Sequence, residues 1–151
     1  MLTCSHEIDI AQNLFGKVSK VFCTDTLTSL KSSVENSIFL ILKHKNGIKS
    51  NITLDFSSKQ NQRQFEITGE NFNINWNFSK KQILIKKENR FFYKIPKNNS
   101  HINKIYFSQN KTYLKNLYKK QNKNFDNLFH TERVILAALK SLRLKKIVSL
   151  V

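Results

Sequence analysis

Residues 4–16, CSHEIDIAQNLFG, bring a thiol (Cys4), an imidazole (His6) and two carboxylates (Glu7 and Asp9) close together. An imidazole can take up or release a proton near neutral pH, so His6 is the candidate general acid/base of the chain. Other chemistries fail on spacing. Ser5 adjoins His6, but neighbours on a helix do not face each other, which excludes a nucleophile–base pair. Cys4, His6 and Cys23 lack the spacing of a structural zinc site. His44, His101 and His130 stand singly along the chain, and each is read as a surface or boundary residue. The three glycines, Gly16, Gly47 and Gly69, form neither a Gly-x-Gly-x-x-Gly turn nor a phosphate-binding loop. Composition alone favours a surface histidine near a chain end for His6.

The segment that positions His6 reads as a short helix. Ser5 suits its N-terminal cap, and Glu7 and Asp9 place negative charge in its first turns, where the helix dipole favours it. Ile8, Ala11 and Phe15 fall on one face, with Ile10 and Leu14 beside it. Gly16 suits the left-handed residue that ends many helices.

Beyond Gly16 the pattern becomes extended. Residues 17–24 form a strand with imperfect alternation, and 25–35 a polar loop or irregular edge. Residues 36–45 (NSIFLILKHK) form a strand whose apolar run suggests burial on both faces. Asn46-Gly47 is the strongest hairpin signal, leading into a strand over 48–57. Residues 63–68 and 71–78 (NFNINWNF) follow, the latter alternating Phe72, Ile74, Trp76 and Phe78 against asparagines. Residues 81–87 and 91–95 make a further pair of strands, Pro96 closes the sheet region, and 97–104 read as a polar loop. Two helices come next, around 112–121 and over 131–143 with Thr131 as cap, and then a short extended tail, 145–151. The expected fold is α+β: a single open, mostly antiparallel β-sheet of about six strands with helices on one face, and one domain over 1–151.

The 151 residues carry a net charge of +16, yet the only arginines are Arg63, Arg90, Arg133 and Arg143. Lysines spread over strands, loops and helices alike point to a solvated basic surface, not to a specific nucleic-acid site. No apolar run approaches the ~20 residues of a membrane helix. Two isolated cysteines and the absence of a signal-like N-terminus suggest a reducing, cytoplasmic setting.

The ordered segments resemble the C-terminal domain of Gfo/Idh/MocA-family oxidoreductases. SHEIDIAQNLFG is similar to the segment that opens that domain, residues 35–56 to its paired strands with an Asn-Gly hairpin, and RQFEITGENFNINW, residues 63–76, to its Arg-x-x-x-Ile-x-Gly stretch, with Asn73 where a second glycine is usual. Residues 113–114 and 137–148 look like its closing helices and tail. The resemblance implies a substrate-binding and oligomerisation domain of an NAD(P)-dependent dehydrogenase acting on sugars, inositols or sugar nucleotides. It implies His6 as the catalytic acid/base and Asp9 as a candidate substrate contact, although a helix-end or surface role explains Asp9 equally well. Leu2 and Thr3 stand where the family usually has an acidic helper, and the family's first-half lysine has no counterpart. No cofactor site is expected in this chain. NAD(P) and a separately encoded Rossmann half would complete the enzyme, and a homo-oligomer through the sheet face is expected. The alternatives are a structural or oligomerisation module without catalysis and a basic polyanion-binding protein.

Overall fold

The computed structural model describes residues 5–25, 37–59, 62–88, 90–94, 102–118 and 126–150. The elements run α1 (Ser5–Phe15), β1 (Val18–Asp25), β2 (Ser37–His44), β3 (Lys49–Asp55), β4 (Gln64–Thr68), β5 (Phe72–Asn77), β6 (Gln82–Lys87), β7 (Arg90–Lys94), α2 (Ile102–Tyr118), α3 (Asp126–Leu144) and β8 (Val148–Ser149). The chain divides into two compact units, Met1–Lys59 with Lys123–Val151, and Gln60–Asn122.

The first unit holds an antiparallel sheet of order β3-β2-β1-β8. A register shift between Val18 and Lys20 explains the imperfect alternation of β1, because the extra residue returns Val18, Val21 and Cys23 to the buried face. Ile38, Leu40 and Leu42 of β2 and Ile52 of β3 continue that face. Helices α1 and α3 cover it, through Ile8 and Ala11 and through Val134, Ala137 and Ala138. Burying Leu40 fully contributes about 2 kcal/mol, as does each comparable side chain of this cluster. The opposite face is not buried in the same way: Ile41 is exposed and Phe39 half-buried. Among the described residues of the first unit, α1 and α3 cover one side of the apolar run of β2, and the other side stays more open.

The second unit holds an antiparallel sheet of order β4-β5-β6-β7. Its registers put Phe65 opposite Trp76 and Ile67 opposite Ile74, with Ile83 and Ile85 next on the same face. The Phe65 and Trp76 rings stack at 5.1 Å. The asparagines of β5 occupy the other face, where Asn73 donates to Glu66 and Thr68 and Asn77 donates to Gln64.

The α+β class and the open antiparallel pairing agree with expectation. Among the described residues the strands number eight, in two four-stranded sheets, where about six in one sheet were expected. Local alternation specifies each strand and its hairpin partner, but sheet membership is a non-local choice. The tail strand β8, for example, pairs with β1 from the far end of the chain. Helix α2 starts at Ile102, inside the stretch read as loop, and α3 starts at Asp126, so Thr131 lies within the helix and does not cap it. Residues 26–36, Pro96, His101 and Cys4 lie outside the described residues.

Candidate active-site helix

Helix α1 begins at Ser5, so His6 occupies its first turn. His6, Asp9, Ile10 and Asn13 recur at i, i+3, i+4 and i+7 and share one side. All four are exposed, whereas Ile8 and Ala11 point into the core. Leu14, 53% exposed, and Ile10, 41% exposed, leave an apolar margin beside the imidazole and the Asp9 carboxylate. His6 and Asp9 are thus brought to one face about 4.5 Å apart along the helix axis, which places them together without pairing them.

Three sets of contacts hold this helix in position. Ile8 and Ala11 anchor it in the core. The Gln12 Nε2–H donates to Thr131 Oγ1 of α3 at 2.8 Å. At the C-terminus, Gly16 adopts φ +81° and its N–H donates to Gln12 O at 2.8 Å, closing the last turn. The β2–β3 hairpin then takes the free carbonyls: Asn46 Nδ2 donates to Phe15 O at 3.0 Å, and His44 Nδ1 lies 2.6 Å from Gly16 O. A carbonyl oxygen only accepts, so Nδ1 of His44 carries a proton, and Nε2 meets the Ser50 hydroxyl at 2.9 Å.

His44 and His130 therefore correct the surface reading given to them. Both are buried. His44 shares the parity of Leu40 and Leu42, and His130 precedes Val134 by one helical turn; those periodicities are the signals that locate them in the core. The His130 Nε2–H donates to Val18 O at 3.1 Å. Burial pushes the His130 imidazole below its ordinary range; the Val18 carbonyl pulls it back, and Lys17, Lys45 and Arg133 add to the lowering. Cys23 is buried in the core. Among the described residues no group of three or more His, Cys, Asp or Glu side chains is arranged to hold a metal ion.

Among the described residues, no turn fits the pyrophosphate of a nicotinamide dinucleotide. Pyrophosphate binding uses a glycine-rich turn from a parallel strand into a helix. Here Gly16 leads from a helix into a strand, Gly47 sits in a hairpin, and every described ladder is antiparallel.

Residues 1–75 match the family model of the GFO/IDH/MocA C-terminal domain. The chain carries a Gfo/Idh/MocA C-terminal domain. Solved structures agree on the fold. A levoglucosan dehydrogenase in complex with NADH and levoglucosan superposes with TM-score 0.82 at 15% identity, over 97% of this chain and 48% of that one. An oxidoreductase from Agrobacterium radiobacter in complex with NAD+, L-tartaric acid and magnesium gives 0.79 at 17%, over 96% and 47%. The WlbA dehydrogenase from Bordetella pertussis in complex with NADH and UDP-GlcNAcA gives 0.69 at 16%, over 99% and 44%. The Gfo/Idh/MocA chain thus spans about half the length of these structures. No curated protein sequence matches it. No helix among the described residues is long and apolar enough to cross a membrane.

Proposed function

We propose that this domain is the substrate-binding and oligomerisation half of an NAD(P)-dependent sugar, inositol or sugar-nucleotide dehydrogenase. The nicotinamide-binding Rossmann half comes from outside these 151 residues, and the domain alone is inactive. The observation that carries the reading is coverage: nearly all of this chain matches only about half of each of these oxidoreductase and dehydrogenase chains. The exposed position of His6 on α1 supports the rest, because an acid/base group must be open to a substrate delivered from outside the domain. His6 handles the proton. Its imidazole accepts the hydrogen of the substrate hydroxyl during oxidation and returns it to the oxygen during reduction. Asp9, on the same side, orients a substrate hydroxyl by accepting a hydrogen bond.

The test is reconstitution. The domain is combined with a Rossmann half of the same family, and NAD(P)H formation is followed over a panel of sugars, inositols and sugar nucleotides. Turnover is expected only in the combination. His6→Ala is expected to lower kcat about 10²–10⁴-fold with the fold intact. Asp9→Asn is expected to act mainly on KM. Turnover indifferent to His6→Ala refutes its role, and turnover by the isolated domain refutes the division of labour.

The sheet of the second unit supports self-association. Ile67, Ile74, Trp76, Ile83 and Ile85 share a face and none is fully buried, while Phe65 and Phe92 on that face are exposed. A second copy covering this face would remove it from water. Sedimentation of the wild-type domain should show an oligomer, and Phe65→Glu with Phe92→Glu should yield a folded monomer. A strictly monomeric wild type excludes the interface.

A further inference from the structure

The exposed side of α3 carries a second pattern. Phe129, Arg133, Leu136 and Lys140 follow one another at spacings of four, three and four, so they form a single stripe along the helix. Every one of them is exposed, Leu136 at 65% and Phe129 at 55%. A groove of about 590 Å³ runs beside this stripe, with Arg133, Leu136 and Lys140 on one wall and Val148 and Leu150 on the other. Strand β8, which forms that wall, pairs with β1 and, among the described residues, lies at the sheet edge. The groove therefore has an apolar floor and two cations spaced about 10.5 Å apart along the helix axis, too far to hold a single carboxylate.

We infer that this groove docks an amphipathic helix of a separate protein that presents two acidic side chains seven residues apart around an apolar residue. That spacing reproduces the separation of Arg133 and Lys140, and the apolar residue meets Leu136. Charge complementarity selects this occupant. A second copy of the chain docked at this groove would have to set acidic side chains against Arg133 and Lys140, and the chain has only 10 Asp and Glu against 26 Lys and Arg. A nucleic acid would make use of the cations but leaves the exposed Leu136 without a role.

The probe is a fluorescein-labelled, ~18-residue helical peptide of leucine, alanine and glutamate with Glu at i and i+7 around Leu, long enough to form a helix. Binding to the full chain is measured by anisotropy at physiological salt. One-to-one saturable binding is expected, weakened about tenfold by Arg133→Glu with Lys140→Glu, because both partner carboxylates then meet like charge. Leu136→Ser should also weaken it. Lys43→Glu with Lys49→Glu makes the same change in net charge on β2 and β3 and should leave binding nearly unchanged. All these positions are exposed, and circular dichroism verifies that each variant is folded. Equal losses in the two double variants, binding indifferent to Leu136→Ser, or no saturable binding overturns the proposal. An oligonucleotide of matching charge that displaces the peptide equally from wild type and from Leu136→Ser overturns it as well.

Discussion

Ser141 and His130 show how single polar groups hold the first unit together. The Ser141 hydroxyl is fully buried; it accepts from the Cys23 N–H at 2.9 Å and donates to Lys146 O at 2.6 Å. Strand β8 is too short to meet Cys23, so Ser141 takes the ladder position that β8 leaves open. Ser141→Ala should cost about 2 kcal/mol, read from urea unfolding, because it strands a donor and an acceptor. His130 predicts a pH dependence. Its folded value lies below the unfolded 6.5, so the unfolded chain binds the proton more readily. The stability this supplies is complete above about pH 6.5 and is lost as pH falls toward the folded value. Thermal melts of the wild type should drop between pH 7 and pH 5 by more than those of His130→Gln, whose side chain does not titrate. Parallel curves would rule out His130 as the source.

The element that matters most for the proposed chemistry is α1, and its position depends on the hairpin between β2 and β3. Gly47 holds φ +92° in that turn, with His44 N–H donating to Ile48 O at 2.8 Å. Nothing crowds a Cβ there, so Gly47→Ala tests backbone conformation alone, and should cost about 1 kcal/mol in unfolding measurements. Asn46 has a further task, because its amide reaches Phe15 O while its Oδ1 accepts from Ile48 N–H at 3.2 Å. In the reconstituted enzyme Asn46→Ala should lower kcat while changing global stability less than Gly47→Ala. The reason is that it frees the end of the helix bearing His6 but leaves the turn conformation permitted. A kcat unchanged by Asn46→Ala would show that the core contacts of Ile8 and Ala11 suffice to position α1.

At the scale of the molecule, the excess of lysine is spread over both units. One row is notable: Lys20, Lys43 and Lys49 are direct cross-strand neighbours on β1, β2 and β3. Like charges opposite one another oppose pairing, so the first unit should gain stability as salt rises from low ionic strength. A melting temperature that rises with salt in the wild type and less in Lys43→Gln would show this. The same surface makes non-specific binding to polyanions salt-sensitive, which is why the groove proposal is tested against a charge-matched variant on β2 and β3.

The amino-acid sequence by itself determined the local grammar. Amphipathic spacing marks α1, Asn46-Gly47 marks the hairpin, and strict alternation marks β5; each reflects interactions between residues close in the chain. It also placed His6 and Asp9 on one helix, which fixes their shared side. Tertiary structure decided what distance along the chain conceals. It buried His44 against Gly16 and His130 against Val18, extended α3 back past Thr131, and joined β8 to β1. The physical reason is that a polar residue on a buried face is tolerated only when a partner from elsewhere in the chain satisfies it, and no local pattern states where that partner is. The helix carrying His6 was legible in sequence, but the hydrogen bonds that hold it in place were not.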